Sequence, residues 1–271
     1  MLEYLFAYSL ETHLFAFILG GTRLTVFAMI APFMGNNVLN ATSRSALVGA
    51  LYLVLHVPLL ESVAALMPMG GANLVTFLSL LAKEIFLGFV LGWLAGMMFW
   101  AIESAGFFID NQRGAGQASE TDPLSGSQSS PTGSMLFQSA AYVFFATGAF
   151  LSYLGLVYGT YVLWPAGELI PSSFFANKEA AFFFGECVSK LALNMVLLSA
   201  PVVLACLFTD ISLGLINRFA SQLNVYILAM PIKSALASFL LIFYFAILMS
   251  DAPERFLAFS LDLKTLQGFL P

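Results

Sequence analysis

Charged residues are scarce in this chain. Of its 271 residues, 9% are charged and 60% are hydrophobic, whereas a soluble domain carries roughly 25% charged residues. So few charges could not cover the surface of a folded protein in water. The composition therefore predicts a protein of the lipid bilayer.

Basic residues, cysteines and histidines are also few, and each shortage excludes a class of function. The net charge of −5 leaves no basic patch for nucleic acid. Cys187 and Cys206 lie in apolar stretches without CxxC or metal spacing, which predicts buried free thiols. His13 and His56 have no ligand spacing to a cysteine or carboxylate, so neither a metal nor another cofactor is expected.

Catalytic signatures are missing as well. The sequence has no GxSxG, HExxH, P-loop or nucleotide-binding fingerprint, which predicts that the chain is not an enzyme. Glu103 and Asp110 are the acids to test if the chain were an intramembrane hydrolase, and the sequence gives only weak support for such a carboxylate site. His56 is interpreted as a packing residue rather than a proton relay.

Long apolar runs make up most of the sequence. A spanning helix needs about 20 mainly apolar residues, and the sequence contains about six such segments. They cover approximately residues 14–34, 46–67, 74–109, 134–164, 182–208 and 225–249. The fold class predicted is all-α, a polytopic helical membrane protein. Basic residues are balanced between the two sides, so the positive-inside rule gives no orientation.

Glycine and charge are placed within these segments in patterns that predict contacts. Gly88, Gly92 and Gly96 recur at intervals of four, which predicts close approach of another helix. Charges in apolar segments are costly and are expected to pair or to face a cavity. The spacing predicts a Glu186–Lys190 pair and separate partners for Lys83 and Glu84. A pair between Arg23 and Glu103 is a further possibility.

One polar stretch interrupts the apolar pattern. Residues 110–134 read DNQRGAGQASETDPLSGSQSSPTGS, a composition that cannot build a packed core and predicts a flexible loop. A solvated connector and a functional loop are equally compatible with it.

Two blocks of sequence resemble a known family. The first joins Glu103-Ser104-Ala105-Gly106, Asp110 to Gly114, and Asp122 to Gly126. The second holds Ala200-Pro201, Asp210, Leu213-Gly214, Asn217-Arg218, Gln222 to Val225, and Pro231 to Lys233. Together they resemble the T component of the type III secretion export apparatus, the SctT/FliR family. The stretch YVLWPAGELIP, residues 161–171, is more similar to the injectisome branch than to the flagellar one. Ser221 departs from the family, which often has proline there.

The resemblance implies an architecture and a set of partners. It implies an R-like unit at about residues 1–175 fused to an S-like helical hairpin at about 176–271. The T component would be a single-copy subunit that forms a helical hetero-oligomeric export gate with the R and S components, next to the U component. Unfolded secreted proteins would be its substrates. The gate would lie in the inner membrane of a Gram-negative bacterium, in contact with lipid, with its core projecting into the periplasm.

The resemblance also implies roles for individual residues. Loop 110–134 would plug the pore, and a second set would serve assembly and the gate. The plug residues are Asp110, Asn111, Gln112, Arg113, Gly114, Gly116, Asp122, Pro123 and Gly126. The assembly and gate residues are Glu103, Asp210, Gly214, Arg218, Gln222, Asn224, Pro231 and Lys233. Asp210 and Arg218 are expected near helix ends, where a partner subunit could satisfy them.

A small-molecule secondary transporter is the alternative. That class shows discontinuous helices in two related halves, and no internal repeat is evident here. Neutralising Glu103 and Asp110 should abolish an ion-coupled transporter, whereas deleting the loop of a gate should leak small solutes and leave assembly intact.

Overall fold

The structure, a computed structural model, describes residues 8–36, 38–64, 74–114, 130–169, 178–220, 222 and 224–268. Within these residues the regular structure is entirely helical. A short 3-10 turn, Pro32–Met34, follows the first helix. The α-helices are α1 (Leu10–Ile30), α2 (Ala41–Ala64), α3 (Leu74–Gln112), α4 (Pro131–Ala146), α5 (Ala149–Leu163), α6 (Lys178–Phe219) and α7 (Val225–Gly268).

Five of these helices are long and apolar enough to cross a membrane, and six spans result if α4 and α5 count as one. This agrees with the predicted number. The fourth segment is not the single helix that was predicted, because the chain breaks at Thr147 and Gly148. Gly148 has a left-handed backbone, with φ of 75°, which a residue with a side chain rarely adopts. The last two helices extend well beyond their predicted ends, to 42 and 44 residues.

The chain forms two compact units. The first contains residues 1–97, 148–185 and 257–271, and the second contains residues 98–147 and 186–256. Helices α3, α6 and α7 each contribute to both.

Close packing of α1 against its neighbours builds the first unit. Helices α1 and α2 form an antiparallel hairpin, in which the ring of Phe17 packs on Tyr52. A Cβ added at Gly88 would lie 2.6 Å from the carbonyl oxygen of Arg23, and one at Gly92 would lie 2.9 Å from that of Phe27. The prediction of close helix approach is therefore confirmed at these two glycines, and α1 is the helix that approaches.

The second unit has an apolar core that α3, α6 and α7 share. Buried Ile109 packs with Val202 and Cys206 of α6 and with Ala237 and Leu241 of α7. An aromatic cluster of Phe99, Phe144 and Phe256 lies elsewhere in the unit. Cys187 and Cys206 are both buried, and neither forms a disulfide within the described residues, as predicted.

Candidate functional site

Asp110, in the last turn of α3, is the centre of a buried polar network. Its side chain is nearly inaccessible, at 3% exposed. The Oδ2 atom accepts from the Ser130 hydroxyl at 2.7 Å and from the Thr132 amide at 3.0 Å. The Oδ1 atom accepts from the Thr132 hydroxyl at 2.6 Å and from Arg113 Nη2 at 2.7 Å. One carboxylate thus binds residues on both sides of segment 115–129.

This network, Asp110 with Arg113, Ser130 and Thr132, is called the Asp110 clasp below. Ser130 also caps α4, because its hydroxyl accepts from the Gly133 amide at 2.9 Å. A capping serine satisfies an amide at the helix N-terminus that has no partner within the helix. The prediction of a loop from 110 to 134 is therefore wrong at both ends. Residues 110–112 belong to α3, and residues 131–134 belong to α4.

Gly114 ends α3 by a backbone turn that requires glycine. Its φ is 84°, and its amide donates to the carbonyl of Asn111 at 3.2 Å. A Cβ added there would approach Met230 Cγ to 3.2 Å. Asn111 is exposed and Gln112 is half-buried. Gly116, Asp122, Pro123 and Gly126 lie outside the described residues.

Helices α3 and α4 cross at two glycines close to the clasp. A Cβ at Gly106 would lie 2.5 Å from the Cα of Gly133, and one at Gly133 would lie 2.9 Å from the carbonyl oxygen of Glu103. The crossing brings the end of α3 against the start of α4 and so places Asp110 beside Ser130 and Thr132. The half-buried side chain of Glu103 lies one turn before Gly106.

Asp210 and Lys233 form an ion pair between α6 and α7. The Lys233 Nζ lies 3.0 Å from Asp210 Oδ1 and 3.1 Å from Oδ2. The sequence placed Asp210 near a helix end to be satisfied by a partner subunit. The structure corrects this, because Asp210 lies inside α6 and already has its cation within the chain.

The remaining predicted assembly residues lie around the turn between α6 and α7. Gly214 and Arg218 are exposed on the last turns of α6, and a Cβ added at Gly214 meets open space. Gln222 is exposed in the turn. Asn224 precedes α7, and its side-chain oxygen accepts from the Ile227 amide at 3.5 Å. Pro231 lies inside α7, and Ser221 is outside the described residues.

A second buried ionic site, in the first unit, was missed by the sequence analysis. Arg23 of α1 and Glu84 of α3 are fully buried. The guanidinium binds the carboxylate with two hydrogen bonds, from Nε at 2.6 Å and from Nη2 at 2.8 Å. Arg23 also donates to the Thr160 hydroxyl and the Trp164 carbonyl, and it stacks 4.0 Å above the Tyr161 ring. The suggested pairing of Arg23 with Glu103 is wrong.

Lys83 completes this site, called the Arg23 cluster below. Its ammonium lies 2.7 Å from Glu84 Oε1 and donates to the carbonyls of Pro165, Ala166 and Glu168. The expectation of separate partners for Lys83 and Glu84 is wrong, because the flexible lysine stem bends back to its neighbour. Two cations face one carboxylate, and the carbonyl oxygens that follow α5 supply the remaining negative potential.

The exposed pair Glu186–Lys190 is present, at 3.5 Å, as predicted. Across the described residues, no three side chains of the His, Cys, Asp or Glu type lie close enough to hold a metal ion. Glu84 and Asp210 each pair with a cation on another helix, and Asp110 binds Ser130 and Thr132 at the start of α4, so these three carboxylates join helices to one another.

Large apolar side chains are exposed along α6 from Phe182 to Phe219 and along α7 from Ile227 to Ile247. Phe182, near the start of α6, is 77% exposed, and Phe219, at its end, is 92% exposed. Ile227, Phe239 and Ile247 are exposed along α7. This hairpin therefore has apolar surface that the chain itself does not cover.

Comparison with known proteins identifies the group to which this architecture belongs. Residues 14–258 match the family described as bacterial export proteins, family 1. The chain belongs to that family. Members are membrane proteins of the bacterial export apparatus and are not enzymes, so the buried charges described above have no catalytic role.

Relatives within family 1 assign the branch. The chain is 44% identical to the Yop proteins translocation protein T of Yersinia pestis over 67% of this chain and 69% of that protein. It is 29% identical to the surface presentation of antigens protein SpaR of Salmonella typhimurium over 86% of this chain and 84% of that protein. It is 28% identical to the flagellar biosynthetic protein FliR of Bacillus subtilis over 72% of this chain and 73% of that protein. The chain is thus a type III secretion export component, more similar to injectisome proteins than to flagellar ones.

Membership of family 1 also indicates where in the cell the protein is located. Several membrane spans in a component of the bacterial export apparatus imply the inner membrane, and a complex with other export components. The predicted family, its role in protein export and its membrane character are therefore established.

Proposed function

We propose that this chain is the single-copy T subunit of an export gate, and that it forms the gate channel with the R and S components. Unfolded secreted proteins pass through that channel, and the U component adjoins it. Residues 1–175 correspond to the R-like part and residues 176–271 to the S-like hairpin. The core of the assembly projects into the periplasm.

The length of the exposed apolar surface on α6 carries this proposal. Phe182 and Phe219 are 37 positions apart, or about 55 Å along a helix at ~1.5 Å per residue. A bilayer core is only ~30 Å thick. To fit 55 Å within it, the helix would need a tilt near 57°, beyond the usual range of about 0–40°. A helix tilted within that range would leave part of this surface outside the hydrocarbon core, which favours cover by other protein subunits.

The predicted assembly and gate residues fit this arrangement. Arg218, Gln222 and Gly214 are exposed near the hairpin turn, where a neighbouring subunit can reach them. Asp210 and Lys233 hold the two helices in register, and Pro231 frees a backbone carbonyl for a further contact. Glu103 lies beside the α3–α4 crossing and positions the start of the plug.

We further propose that the segment between the two ends of the Asp110 clasp plugs the channel. A plug that a passing polypeptide displaces should contribute little packing energy, and the polar, glycine-rich composition of residues 115–129 has that property. The clasp fixes where the segment leaves α3 and re-enters α4. The two anchor points would then stay in place when a polypeptide displaces the plug.

Co-purification tests the assembly. The chain is expressed in mild detergent with and without the neighbouring R-like and S-like genes, and the products are weighed by native mass spectrometry. A defined complex containing one copy of this chain supports the proposal. A stable monomer or homodimer that ignores those partners contradicts it and favours the transporter.

Deletion of residues 115–129 tests the plug separately. The clasp residues stay in place, and a glycine-serine linker joins 114 to 130. We expect the complex to assemble in normal yield while cells become permeable to small solutes. Loss of assembly without any leak would refute the plug.

A further inference from the structure

A cavity opens between α1 and α2, and its lining includes no residue of the Arg23 cluster or the Asp110 clasp. Its volume is about 340 Å³, within the ~300–1,000 Å³ range of small-molecule sites. Phe17, Ala28, Met29 and Val48 supply apolar walls. Gly21 and Gly49 also line it, and a Cβ built at either glycine meets no atom within 4 Å. The two glycines thus leave a slot that the described residues do not fill.

The length of this slot matches one membrane leaflet. Its lining runs along α2 from Ala41 to Tyr52, which is about 16 Å at ~1.5 Å per residue. Half of a ~30 Å hydrocarbon core is about 15 Å. Both helices are long and apolar enough to cross a membrane, so the slot suits an extended acyl chain.

Arg44 supplies a positive charge at one end of the slot. It lies in the first turn of α2, where a spanning helix meets the headgroup region. Its hydrogen bonds are long, with Nη1 at 3.3 Å from Asn36 Oδ1 and 3.5 Å from the Met34 carbonyl oxygen. In the part of the chain that the structure describes, no carboxylate pairs with Arg44. Its guanidinium therefore retains donors for a phosphate, which it can bind with paired hydrogen bonds.

We propose that the slot between α1 and α2 binds one anionic phospholipid, with an acyl chain between Gly21 and Gly49 and the phosphate on Arg44. Apolar walls, leaflet length and the charge at one end all match this ligand. A zwitterionic lipid would enter the same slot, but its amine would offset the attraction to Arg44.

The two glycines provide the variants for the test. Because a Cβ at either glycine meets open space, Gly49→Leu or Gly21→Leu is chosen to place a side chain in the slot. Gly155→Leu is the matched control, since Gly155 lies in α5 and a Cβ there also meets open space. Arg44→Gln removes the charge, and Lys178→Gln removes an exposed charge elsewhere.

The full-length chain, alone and in complex with its co-expressed partners, is exchanged into nanodiscs of dioleoyl phosphatidylglycerol or dioleoyl phosphatidylcholine. Lipids retained per chain are then counted by native mass spectrometry. We expect one retained lipid, with phosphatidylglycerol preferred about fivefold, since one basic residue near an anionic membrane surface contributes about that factor. Arg44→Gln should equalise the two lipids, and either slot-filling variant should retain neither. Gly155→Leu and Lys178→Gln should behave as wild type.

Three results would overturn the proposal. In the first, the slot-filling variants retain as much lipid as Gly155→Leu. In the second, millimolar inorganic phosphate binds in an Arg44-dependent way while no lipid is retained, so the site takes a free anion. In the third, the isolated chain holds the lipid but the complex does not, which identifies the slot as a contact for a neighbouring subunit. Two slot-filling variants are used so that a folding defect in one leaves the other informative.

Discussion

Glu84 binds two buried cations, Arg23 and Lys83. We expect Glu84→Gln to destabilise the protein by about 3–5 kcal/mol, the usual cost of leaving a buried charge unpaired. The measurement is the midpoint of thermal unfolding in detergent, together with the amount of protein in the membrane. Glu186→Gln breaks the exposed pair with Lys190 and should cost no more than about 1 kcal/mol. Equal effects of the two substitutions would contradict this account.

The Asp110 carboxylate is the residue on which the clasp depends. Asp110→Asn keeps the shape of the side chain but removes its charge and one acceptor, and each hydrogen bond to a charged group contributes about 1.5–3 kcal/mol. Under the proposed plug function, we expect the complex to assemble while the membrane becomes leaky to small solutes. Asp251→Asn, at an exposed site on α7, is the control. An assembled, sealed gate carrying Asp110→Asn would show that the clasp does not hold the plug.

Individual contacts show where sequence reasoning reached its limit. The Glu186–Lys190 pair was predictable because both residues lie on one helix, four positions apart. Arg23 and Glu84 are 61 positions apart, and nothing local distinguishes Glu84 from Glu103 as the partner of Arg23. The pairing depends on which helices approach each other. Gly88 predicts that some helix approaches α3 closely, but it does not identify that helix.

At the scale of elements, Gly88 controls the contact between α1 and α3. A Cβ there would come within 2.6 Å of a backbone oxygen that cannot move aside, so Gly88→Ala should push the helices apart and strain the Arg23–Glu84 pair. We expect a clear fall in the unfolding midpoint. Gly155→Ala is the matched control, which should instead stabilise by up to about 1 kcal/mol through helix propensity. A neutral effect at Gly88 would contradict the close approach.

The α6–α7 hairpin is held by Asp210 and Lys233, and a charge exchange tests that role. Asp210→Lys alone places two cations together and should reduce the yield of purified complex several-fold. The double variant Asp210→Lys with Lys233→Asp should restore the yield, because the pair is then re-formed in reverse. Yield is measured by quantitative affinity purification of the complex. If the double variant stays as defective as the single one, Asp210 contacts a partner subunit instead.

Helix existence was predictable and helix ends were not. Hydropathy located the spans because length and apolar composition are local properties. The end of α3 was misplaced because the polar residues from Asp110 onwards favour a loop in isolation, whereas Ser130 and Thr132 satisfy that carboxylate from a distant part of the sequence. Gly148 lies inside the fourth apolar segment, and its backbone angle rather than its place in the sequence shows that it divides the segment.

At the scale of the whole molecule, the exposed surface of α6 and α7 predicts dependence on partners. Expressed alone, the chain should accumulate poorly and form polydisperse particles in detergent. Under the proposed gate function, co-expression with the R and S components should raise its abundance several-fold. Size-exclusion chromatography with light scattering measures both quantities. A monodisperse, abundant chain without partners would mean that lipid alone covers this surface. That result would contradict the inference that the apolar surface of α6 is too long for the bilayer core.

The Arg23 cluster also constrains the order of biosynthesis. Arg23 is made first, Glu84 follows 61 residues later, and Thr160 and Trp164 follow 137 and 141 residues after Arg23. At about 5–20 residues per second, the cluster stays incomplete for roughly 7–28 s. For the first part of that interval, about 3–12 s at the same rate, Glu84 has not been made and an arginine in the middle of α1 has no counter-charge, so the bilayer core resists the helix. We therefore expect the first helix to stay at the insertion machinery or the membrane surface until Glu84 in α3 has emerged.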